Sequence, residues 1–355
     1  MAKLFTLLLK VASLIGAVYS APISNSTITN DRFIEARAGN CFPALGFRTP
    51  NPNNGAPSTP VSRWWCPLES ENGFLGFTYA GWNCQSRQKM EADFGRMRTQ
   101  FKARYVRMYG WCDDDGTFLN NMIKAAYKSG VGIYATIWFG FDGGDAWMWR
   151  RDQLVHIIQT NPLARYVIRS VDVGSEPLYD WVLPPQELAN QIHYLKSLIG
   201  QYGIKVSISE MQYGYSVQGD SQMVLDAEDV VHAHQLPFFD WDASTGQNAM
   251  PSLLNSTNWF AQQTYWTKKI IYTQTGWPTN ANVWGPNSPN AVASVDSAKA
   301  YYNLLDGACE QLKSITPQGG VGWFWHIWED AMLDGWGILD WDSNPKWNFA
   351  PRTGC

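Results

Sequence analysis

The residues best suited to chemistry follow a short apolar run at 167–173, where Gly174 and Ser175 lead into Glu176 and Pro177. A carboxylic acid in an apolar cleft has a raised pKa and can protonate a glycosidic oxygen. Glycoside hydrolysis needs a second carboxylate, about 5–5.5 Å away for retention of configuration or about 6.5–9.5 Å away for inversion. Glu176 is therefore a candidate general acid, and the alternative is a salt-bridged structural glutamate.

Aromatic residues follow several other apolar runs and could bind a sugar. A sugar ring has an apolar C–H face and a rim of hydroxyls, so flat aromatic faces beside hydrogen-bonding groups suit it. The alternative is that these side chains fill a large core. The candidate sugar-binding aromatic residues are Tyr109, Trp138, Tyr213, Phe239, Trp277 and Trp325.

Eight short apolar runs alternate with amphipathic stretches along most of the chain. The predicted strands span 74–80, 105–109, 132–138, 167–173, 205–209, 229–233, 269–273 and 320–325, and the predicted helices span 86–102, 117–129, 146–160, 184–201, 219–227, 256–266 and 295–315. This alternation predicts an α/β fold, a closed (β/α)8 TIM barrel over residues 73–355, with its active site at the carboxyl ends of the strands. The alternative is an open doubly wound sheet, but the turn after the first strand is not the glycine-rich turn that binds a dinucleotide.

The first 72 residues differ in composition from the rest. An apolar stretch at 4–17, followed by Ser20 and Ala21, is typical of a secretory signal peptide over residues 1–20. The alternative, a membrane anchor, needs about 18 or more uncharged residues. Residues 21–72 are predicted to form an irregular leader, pinned in part by a disulfide. We therefore expect a secreted chain that leaves the membrane when the signal is removed, with glycosylation sequons at Asn25 and Asn255.

The cysteines fit an oxidising compartment. Because no CxxC or CxxH spacing occurs, structural disulfides are a better explanation than a zinc site. Six thiols allow 15 pairings, and we expect neighbours along the chain to pair. The expected bonds are Cys41–Cys66, Cys84–Cys112 and Cys309–Cys355.

Composition excludes other classes of protein. Only 16% of the residues are charged and the net charge is −4, so Lys and Arg are not in excess to neutralise nucleic acid or an anionic membrane.

His232 and His234 form an HxH pair without an evident third ligand, so no metal is expected. Asp113–Asp115 is predicted to be a polar turn that caps the next helix rather than a calcium loop. We expect a monomer without a cofactor.

Several segments resemble those of the family 17 glycoside hydrolases, the secreted β-1,3-glucanases and glucanosyltransferases of plants and fungal cell walls. The resemblance extends from about residue 74 to residue 340. Its specific segments are Val-Gly-Ser-Glu-Pro-Leu-Tyr at 173–179 and Thr-Gln-Thr-Gly-Trp-Pro at 273–278, with weaker ones at 106–110, 137–139, 231–239, 323–329 and 335–340. The resemblance implies a (β/α)8 barrel, a β-glucan substrate and Glu176 as the general acid/base.

Two positions depart from the pattern of this family. The nucleophilic glutamate is expected within 273–278, where this chain has Gln274. An amide carries no charge with which to attack the anomeric carbon or stabilise an oxocarbenium-like transition state, so double displacement should fail. Ser175 stands where the wider clan usually has Asn. Its hydroxyl can also donate to a sugar, and it is therefore a candidate substrate-binding residue.

Three explanations fit Gln274: a laboratory substitution that traps substrate, rescue by another carboxylate, or loss of the reaction with the cleft retained. Glu329 ends the predicted eighth strand and Glu210 the fifth, so either could activate water in an inverting reaction. The sequence thus predicts a secreted fungal cell-wall glycoside hydrolase that acts on β-1,3-glucan by an impaired or altered mechanism. The alternative is a catalytically silenced glucan-binding protein.

Overall fold

The fold is an eight-stranded barrel. The computed structural model describes residues 40–140, 144–219 and 221–355, apart from the side chain of Asn54. The predicted signal peptide, the start of the leader and the sequon at Asn25 lie outside the described residues. Eight parallel strands pair in sequence order, and β1 pairs with β8 to close the barrel. The predicted (β/α)8 TIM barrel is therefore confirmed.

The strands and helices alternate as the sequence predicts. The strands are β1 Gly73–Gly81, β2 Tyr105–Trp111, β3 Gly132–Thr136, β4 Ile168–Ser175, β5 Lys205–Glu210, β6 Val231–Gln235, β7 Ile270–Thr275 and β8 Val321–Trp325. The helices are α1 Val61–Trp64, α2 Arg87–Gln100, α3 Thr117–Ser129, α4 Ala146–Thr160, α5 Ala164–Val167, α6 Pro185–Ile199, α7 Gln212–Val217, α8 Gln222–Ala227, α9 Met250–Gln263, α10 Val295–Gly307 and α11 Cys309–Ile315. Short 3₁₀ helices lie at Pro52–Asn54, Leu68–Ser70, Gly200–Tyr202, Pro237–Phe239 and Gly246–Asn248.

Most element boundaries differ from the prediction by one or more residues. β6 begins two residues later than predicted, because the side chain of Asp229 accepts a hydrogen bond from Val206 N before the strand starts. The predicted helix 295–315 is two helices, α10 and α11, separated by Ala308. α9 starts earlier than predicted, with Pro251 in its first turn, where a missing N–H costs no helical hydrogen bond.

Side-chain caps fix where two helices begin. The Ser294 hydroxyl accepts a hydrogen bond from Ser297 N at 3.1 Å and so caps the first turn of α10. The carboxylate of Asp114 accepts hydrogen bonds from Gly116 N and Phe118 N, at 2.8 and 2.9 Å, at the start of α3. The predicted capping turn at 113–115 is therefore confirmed.

The amino-terminal end of the barrel is closed by a buried ion pair. Glu71, just before β1, accepts a hydrogen bond from Arg169 Nε at 2.7 Å, and both side chains are buried. The hydroxyls of Tyr105 and Tyr134 also donate to Glu71. Above this pair lies a small apolar layer formed by Leu75, Tyr105, Tyr134, Val230, Ile271 and Phe324.

All three expected disulfides are present: Cys41–Cys66, Cys84–Cys112 and Cys309–Cys355. The first bond joins two parts of the segment before β1. Among the described residues, Cys84, Cys112 and Asp114 come close enough together to share a metal ion. Both of these sulfurs are committed to a disulfide, so they cannot serve as thiolate ligands.

The second sequon lies on the surface. Asn255 is exposed on α9, which is compatible with a glycan, and its modification remains a prediction. In the part of the chain that the structure describes, no helix is both long and apolar enough to cross a bilayer.

Candidate active site

Glu176 lies directly after β4, at the carboxyl end of the barrel. Its backbone has a φ of +58°, in the left-handed region that non-glycine residues seldom adopt. The neighbouring strand holds this conformation, because Glu176 N donates a hydrogen bond to Ser209 O at 2.7 Å. The side chain keeps 21% of its surface exposed. Strained backbone of this kind is concentrated at functional sites, where the surrounding structure can maintain it.

His234, on β6, contacts Glu176 from below. Its Nδ1 lies 2.7 Å from Glu176 Oε1, and its Nε2 lies 2.8 Å from Ser209 Oγ and 3.5 Å from Arg107 Nη2. Because a guanidinium only donates hydrogen bonds, Nε2 must accept and the imidazole proton must be on Nδ1. Burial lowers the pKa of His234, and the hydrogen bond to Glu176 and the charge of Glu176 offset only part of this shift. A neutral imidazole therefore donates a hydrogen bond to the Glu176 carboxylate.

Arg107, on β2, links the two halves of the site. It is fully buried, and its guanidinium donates to Gln274 Oε1 at 3.2 Å and to Ser175 Oγ at 3.3 Å. Burial lowers the pKa of Arg107, and the carboxylate of Asp172, 3.9 Å from Nε, acts in the opposite direction. One buried cation thus fixes the side chains of both Ser175 and Gln274.

Sequence reasoning missed the role of Arg107, although a signal was present. An arginine inside an otherwise apolar strand must either face solvent or be paired. Because side chains alternate along a strand, Arg107 shares a face with Tyr109, which was already assigned to the cleft.

The two histidines of the HxH pair belong to separate hydrogen-bonding groups. His232 Nδ1 lies 2.5 Å from Asp172 Oδ1, whereas His234 bonds to Glu176. Asp172 therefore faces both His232 and Arg107. A third histidine, His326, bonds through Nδ1 to Thr78 Oγ1 at 2.8 Å, and burial keeps its pKa well below the usual range. Thr78, Asp172 and the three histidines are all buried polar side chains among the residues that the structure describes.

Glu210 does not face the mouth as the inverting hypothesis requires. It is fully buried, and its Oε2 accepts hydrogen bonds from Leu178 N and Tyr179 N, at 2.8 and 3.1 Å. Oε1 accepts from Met211 N at 2.8 Å. Burial, with a smaller contribution from the charge of Glu176, raises the pKa of Glu210 well above its usual range. Glu210 therefore anchors the loop that carries Glu176, and its assignment as a base is corrected.

Glu329 lies against α2, away from the barrel mouth. Lys89 Nζ on α2 is 3.3 Å from Glu329 Oε1 and 2.7 Å from the carboxylate of Asp93. The Tyr79 hydroxyl also donates to Asp93, at 2.8 Å, so the group fills the space between β1 and α2. The assignment of Glu329 as a substitute carboxylate is corrected, since its charge is balanced outside the barrel wall.

Tyr109 and Trp138 form an aromatic cluster at the ends of β2 and β3, with their ring centroids 5.1 Å apart. Trp82, after β1, packs edge-on against both rings and is 38% exposed. The sequence prediction omitted Trp82, because it falls in a loop rather than at the end of an apolar run. Trp138 keeps only 9% of its surface exposed and Tyr109 is partly buried, so Trp82 is the most exposed of the three rings on this side of the mouth.

The remaining predicted aromatic residues occupy different environments. Tyr213 is 59% exposed and lies 6.1 Å from the ring of Tyr179. Phe239 is partly buried and stacks on the indole of Trp336, with centroids 5.7 Å apart. Tyr213 lies in α7, which follows β5, and Phe239 ends the 3₁₀ helix that follows β6, so both are at the carboxyl ends of strands, where a ligand could reach them.

Trp277 and Trp325 are core residues. The Trp277 indole packs against Phe238 and Tyr301 and donates to Val292 O at 2.9 Å. Phe324 points into the barrel, so its neighbour Trp325 points outward, where it packs against Trp347 and is fully buried. The prediction that these two side chains stack on a sugar is corrected, because neither is accessible.

A barrel whose mouth holds a partly exposed glutamate among aromatic side chains is the architecture of a glycoside hydrolase domain. The chain belongs to the family described as the BtgE/BtgC glycoside hydrolase domain, whose model matches residues 76–332. The predicted resemblance is therefore confirmed at the level of a glycoside hydrolase domain.

Curated relatives in two yeasts agree with this assignment. The chain is 27% identical over 287 residues to glucan 1,3-beta-glucosidase BGL2 of Candida albicans, which covers 72% of this chain and 87% of that protein. It is 24% identical over 250 residues to a glucan 1,3-beta-glucosidase of Schizosaccharomyces pombe, which covers 64% of this chain and 70% of that protein.

Solved structures share the fold. The family 17 β-1,3-glucanosyltransferase from Rhizomucor miehei aligns with a TM-score of 0.62 at 23% identity, over 79% of this chain and 98% of that one. An active-site mutant of the β-1,3-glucanosyltransferase of the same organism, in complex with laminaritriose, aligns with a TM-score of 0.63 at 23% identity. The alignment covers 79% of this chain and 98% of that one. The endo-1,4-beta-mannanase of the same organism aligns with a TM-score of 0.54 at 12% identity, over 80% of this chain and 94% of that one.

Proposed function

We propose that this chain binds β-1,3-glucan across the barrel mouth and does not cleave it by double displacement. One observation carries the proposal: the residue that Arg107 fixes within the Thr-Gln-Thr-Gly-Trp-Pro segment is Gln274, an amide. Double displacement requires a carboxylate to form the glycosyl intermediate. The related glucan 1,3-beta-glucosidases supply the substrate class that we extend to this chain.

The surroundings of Gln274 support loss of the reaction rather than its rescue. Both candidate replacements are engaged elsewhere, Glu210 by backbone N–H groups and Glu329 by Lys89. Asp180 is a further carboxylate near Glu176, and partial burial together with the charge of Glu176 raises its pKa to about 6. It stands on the same loop as Glu176, whereas an inverting base has to act from the opposite face of the sugar.

The second candidate function is hydrolysis of β-1,3-glucan by an altered mechanism. Two features of Glu176 favour this alternative. Its carboxylate accepts a hydrogen bond from His234, and its side chain is partly exposed to solvent. The anomer released would identify this mechanism, because inversion yields the α-anomer from a β-glucan.

We infer that the protein is secreted and acts in a fungal cell wall. Three disulfides support an oxidising compartment, where such bonds form and persist. The fungal sources of the curated relatives support a fungal wall as the location of the substrate.

Titration calorimetry of the purified full-length chain with laminarihexaose tests the proposed function. Cellohexaose, which has the same sugar with β-1,4 linkages, is the matched control for linkage, and the ligand is recovered afterwards for chromatography. We expect heat of binding with laminarihexaose, weaker or absent binding of cellohexaose, and recovery of intact hexasaccharide. Absence of laminarihexaose binding would exclude the proposed cleft.

Alanine substitution of Tyr109 or Trp138 is expected to weaken laminarihexaose binding by about 1–3 kcal/mol each, the contribution of one buried aromatic face. Tyr213→Ala and Phe239→Ala should have effects in the same direction. Tyr265, an 80% exposed aromatic residue between α9 and β7 at the amino-terminal end of the barrel, provides the control Tyr265→Ala. Unchanged affinity in all four mouth variants would contradict the assignment of these aromatic residues.

A further inference from the structure

We propose that a cavity on the outer flank of the barrel binds the core sugars of an N-linked glycan carried by Asn255. The cavity lies between α7, α8 and α9 and has a volume of about 320 Å³. This volume is at the lower end of the range for small-molecule sites and is enough for a sugar ring. The inference does not depend on glucan binding at the barrel mouth.

The lining of the cavity has the chemistry that an acetamido sugar requires. Trp259 and Tyr215 provide aromatic rings with centroids 5.9 Å apart, and Trp259 is half-buried. Gln218, Gln222 and Gln263 provide amides, and none of the described residues that line the cavity is charged. An aromatic ring suits the C–H face of a sugar, and amides suit its hydroxyl and acetamido groups. The lining therefore favours a neutral sugar such as N-acetylglucosamine.

Two of the glutamines keep an acceptor atom for a ligand. Gln218 Nε2 donates to Leu178 O at 2.8 Å. Gln222 Nε2 donates to Asp226 Oδ1 at 2.8 Å and to Gln263 O at 3.2 Å. Because these bonds use the amide nitrogens, the Oε1 atoms are left to accept the acetamido N–H or a hydroxyl of a sugar.

Asn255 is placed to deliver a glycan to this cavity. It is exposed on α9, and Trp259 follows it by four residues, so their Cβ atoms are about 5–6 Å apart on one face of the helix. Because helical side chains lean toward the amino terminus, the Trp259 indole leans toward the turn that carries Asn255. Gln263 lies one further turn along the same face. The first sugar therefore lies over Trp259, and the second reaches Gln263.

The sequon can be modified only before α9 folds. Thr257, its third residue, is fully buried, and its hydroxyl is bonded to Leu253 O and to the Tyr272 hydroxyl. The glycosyl transfer recognises the hydroxyl of the Asn-X-Thr triplet, which is out of reach in the folded helix. We therefore expect the glycan to be added to the unfolded chain and to enter the cavity when α9 forms.

The test compares melting temperatures of chains produced through the secretory pathway of yeast. All of them carry Asn25→Gln, so that Asn255 is the remaining sequon. Intact mass should show one glycan, which Asn255→Gln removes. We expect Asn255→Gln to lower the melting temperature by about 2 °C, the usual effect of one aromatic contact in a large domain. In a Trp259→Ala background the same substitution should have no effect, because the sugar has already lost its aromatic partner.

Three controls separate the sugar from the side chains. In chains produced without glycosylation, Asn255→Gln should leave the melting temperature unchanged. Tyr265→Ala, at an exposed aromatic residue beyond the end of α9, is the matched control for Trp259→Ala and should preserve the loss caused by Asn255→Gln. Gln263→Ala removes one amide of the lining and should reduce that loss. It also replaces Trp259→Ala if that variant does not fold.

Two results would overturn this inference. One is a chain that leaves the secretory pathway without a glycan on Asn255. The other is a loss on Asn255→Gln that is absent in the glycosylated chain, or that is equally large in the Trp259→Ala and Gln263→Ala backgrounds. Neither result would affect the proposed function, whose readout is laminarihexaose binding at the mouth.

Discussion

Gln274→Glu is expected to convert the natural chain into an active β-1,3-glucan hydrolase, with a gain in rate on the order of 10⁴-fold, the usual scale for a missing nucleophile. The substitution changes one amide nitrogen to oxygen, so the shape of the site is conserved. The buried guanidinium of Arg107 already lies 3.2 Å from Gln274 Oε1, and it would favour the ionised carboxylate. Reducing-end release from laminarin measures the gain.

The gain should depend entirely on Glu176. The double variant Gln274→Glu with Glu176→Gln tests this dependence, because retaining hydrolysis needs both carboxylates. Release of the β-anomer first would identify double displacement. If the natural chain is already as active as Gln274→Glu, then Gln274 does not occupy the position of the nucleophile.

Arg169→Met should destabilise the fold by about 3–5 kcal/mol, because it leaves a buried charge without its partner. Arg169 Nε donates to Glu71 Oε1 at 2.7 Å, and the Glu71 side chain is completely buried. Two tyrosine hydroxyls would remain on Glu71, but neither carries a positive charge. Chemical denaturation at neutral pH measures the loss.

Arg87→Met is the matched control for this prediction. Arg87 forms an exposed ion pair with Glu91 on α2, and such pairs contribute about 0–1 kcal/mol. Laminarihexaose affinity should be unchanged in Arg169→Met below its melting temperature, since the ion pair lies at the opposite end of the barrel. Equal losses of stability in the two variants would show that the Glu71–Arg169 pair does not stabilise the closed end.

The fold could be predicted because its signals are local and repeated eight times. Each strand is a short apolar run, and an error in one strand boundary, as at β6, does not change the number of strands predicted. The disulfide pairs could also be predicted, since each joins cysteines that are neighbours along the chain.

The site could be predicted only in part, because it depends on which way each side chain faces. Because Trp325 ends a strand, the sequence places it near the mouth. Successive side chains of a strand point to opposite faces, however, and the Trp325 side chain points outward. Glu210 likewise ends a strand, yet its carboxylate is bonded to three backbone N–H groups of two loops. The contact of Arg107 with Gln274 joins residues 167 positions apart, and no local pattern encodes it.

The most direct test of glucan binding without cleavage is a crystal structure of the natural chain soaked with laminarihexaose. We predict an unbroken hexasaccharide that passes between Glu176 and Gln274, with sugar rings against Tyr109 and Trp138. Shortened sugars in the mouth, together with matching products in solution, would show that another group has replaced the nucleophile. A ligand bound away from the mouth would contradict the assignment of the cleft itself.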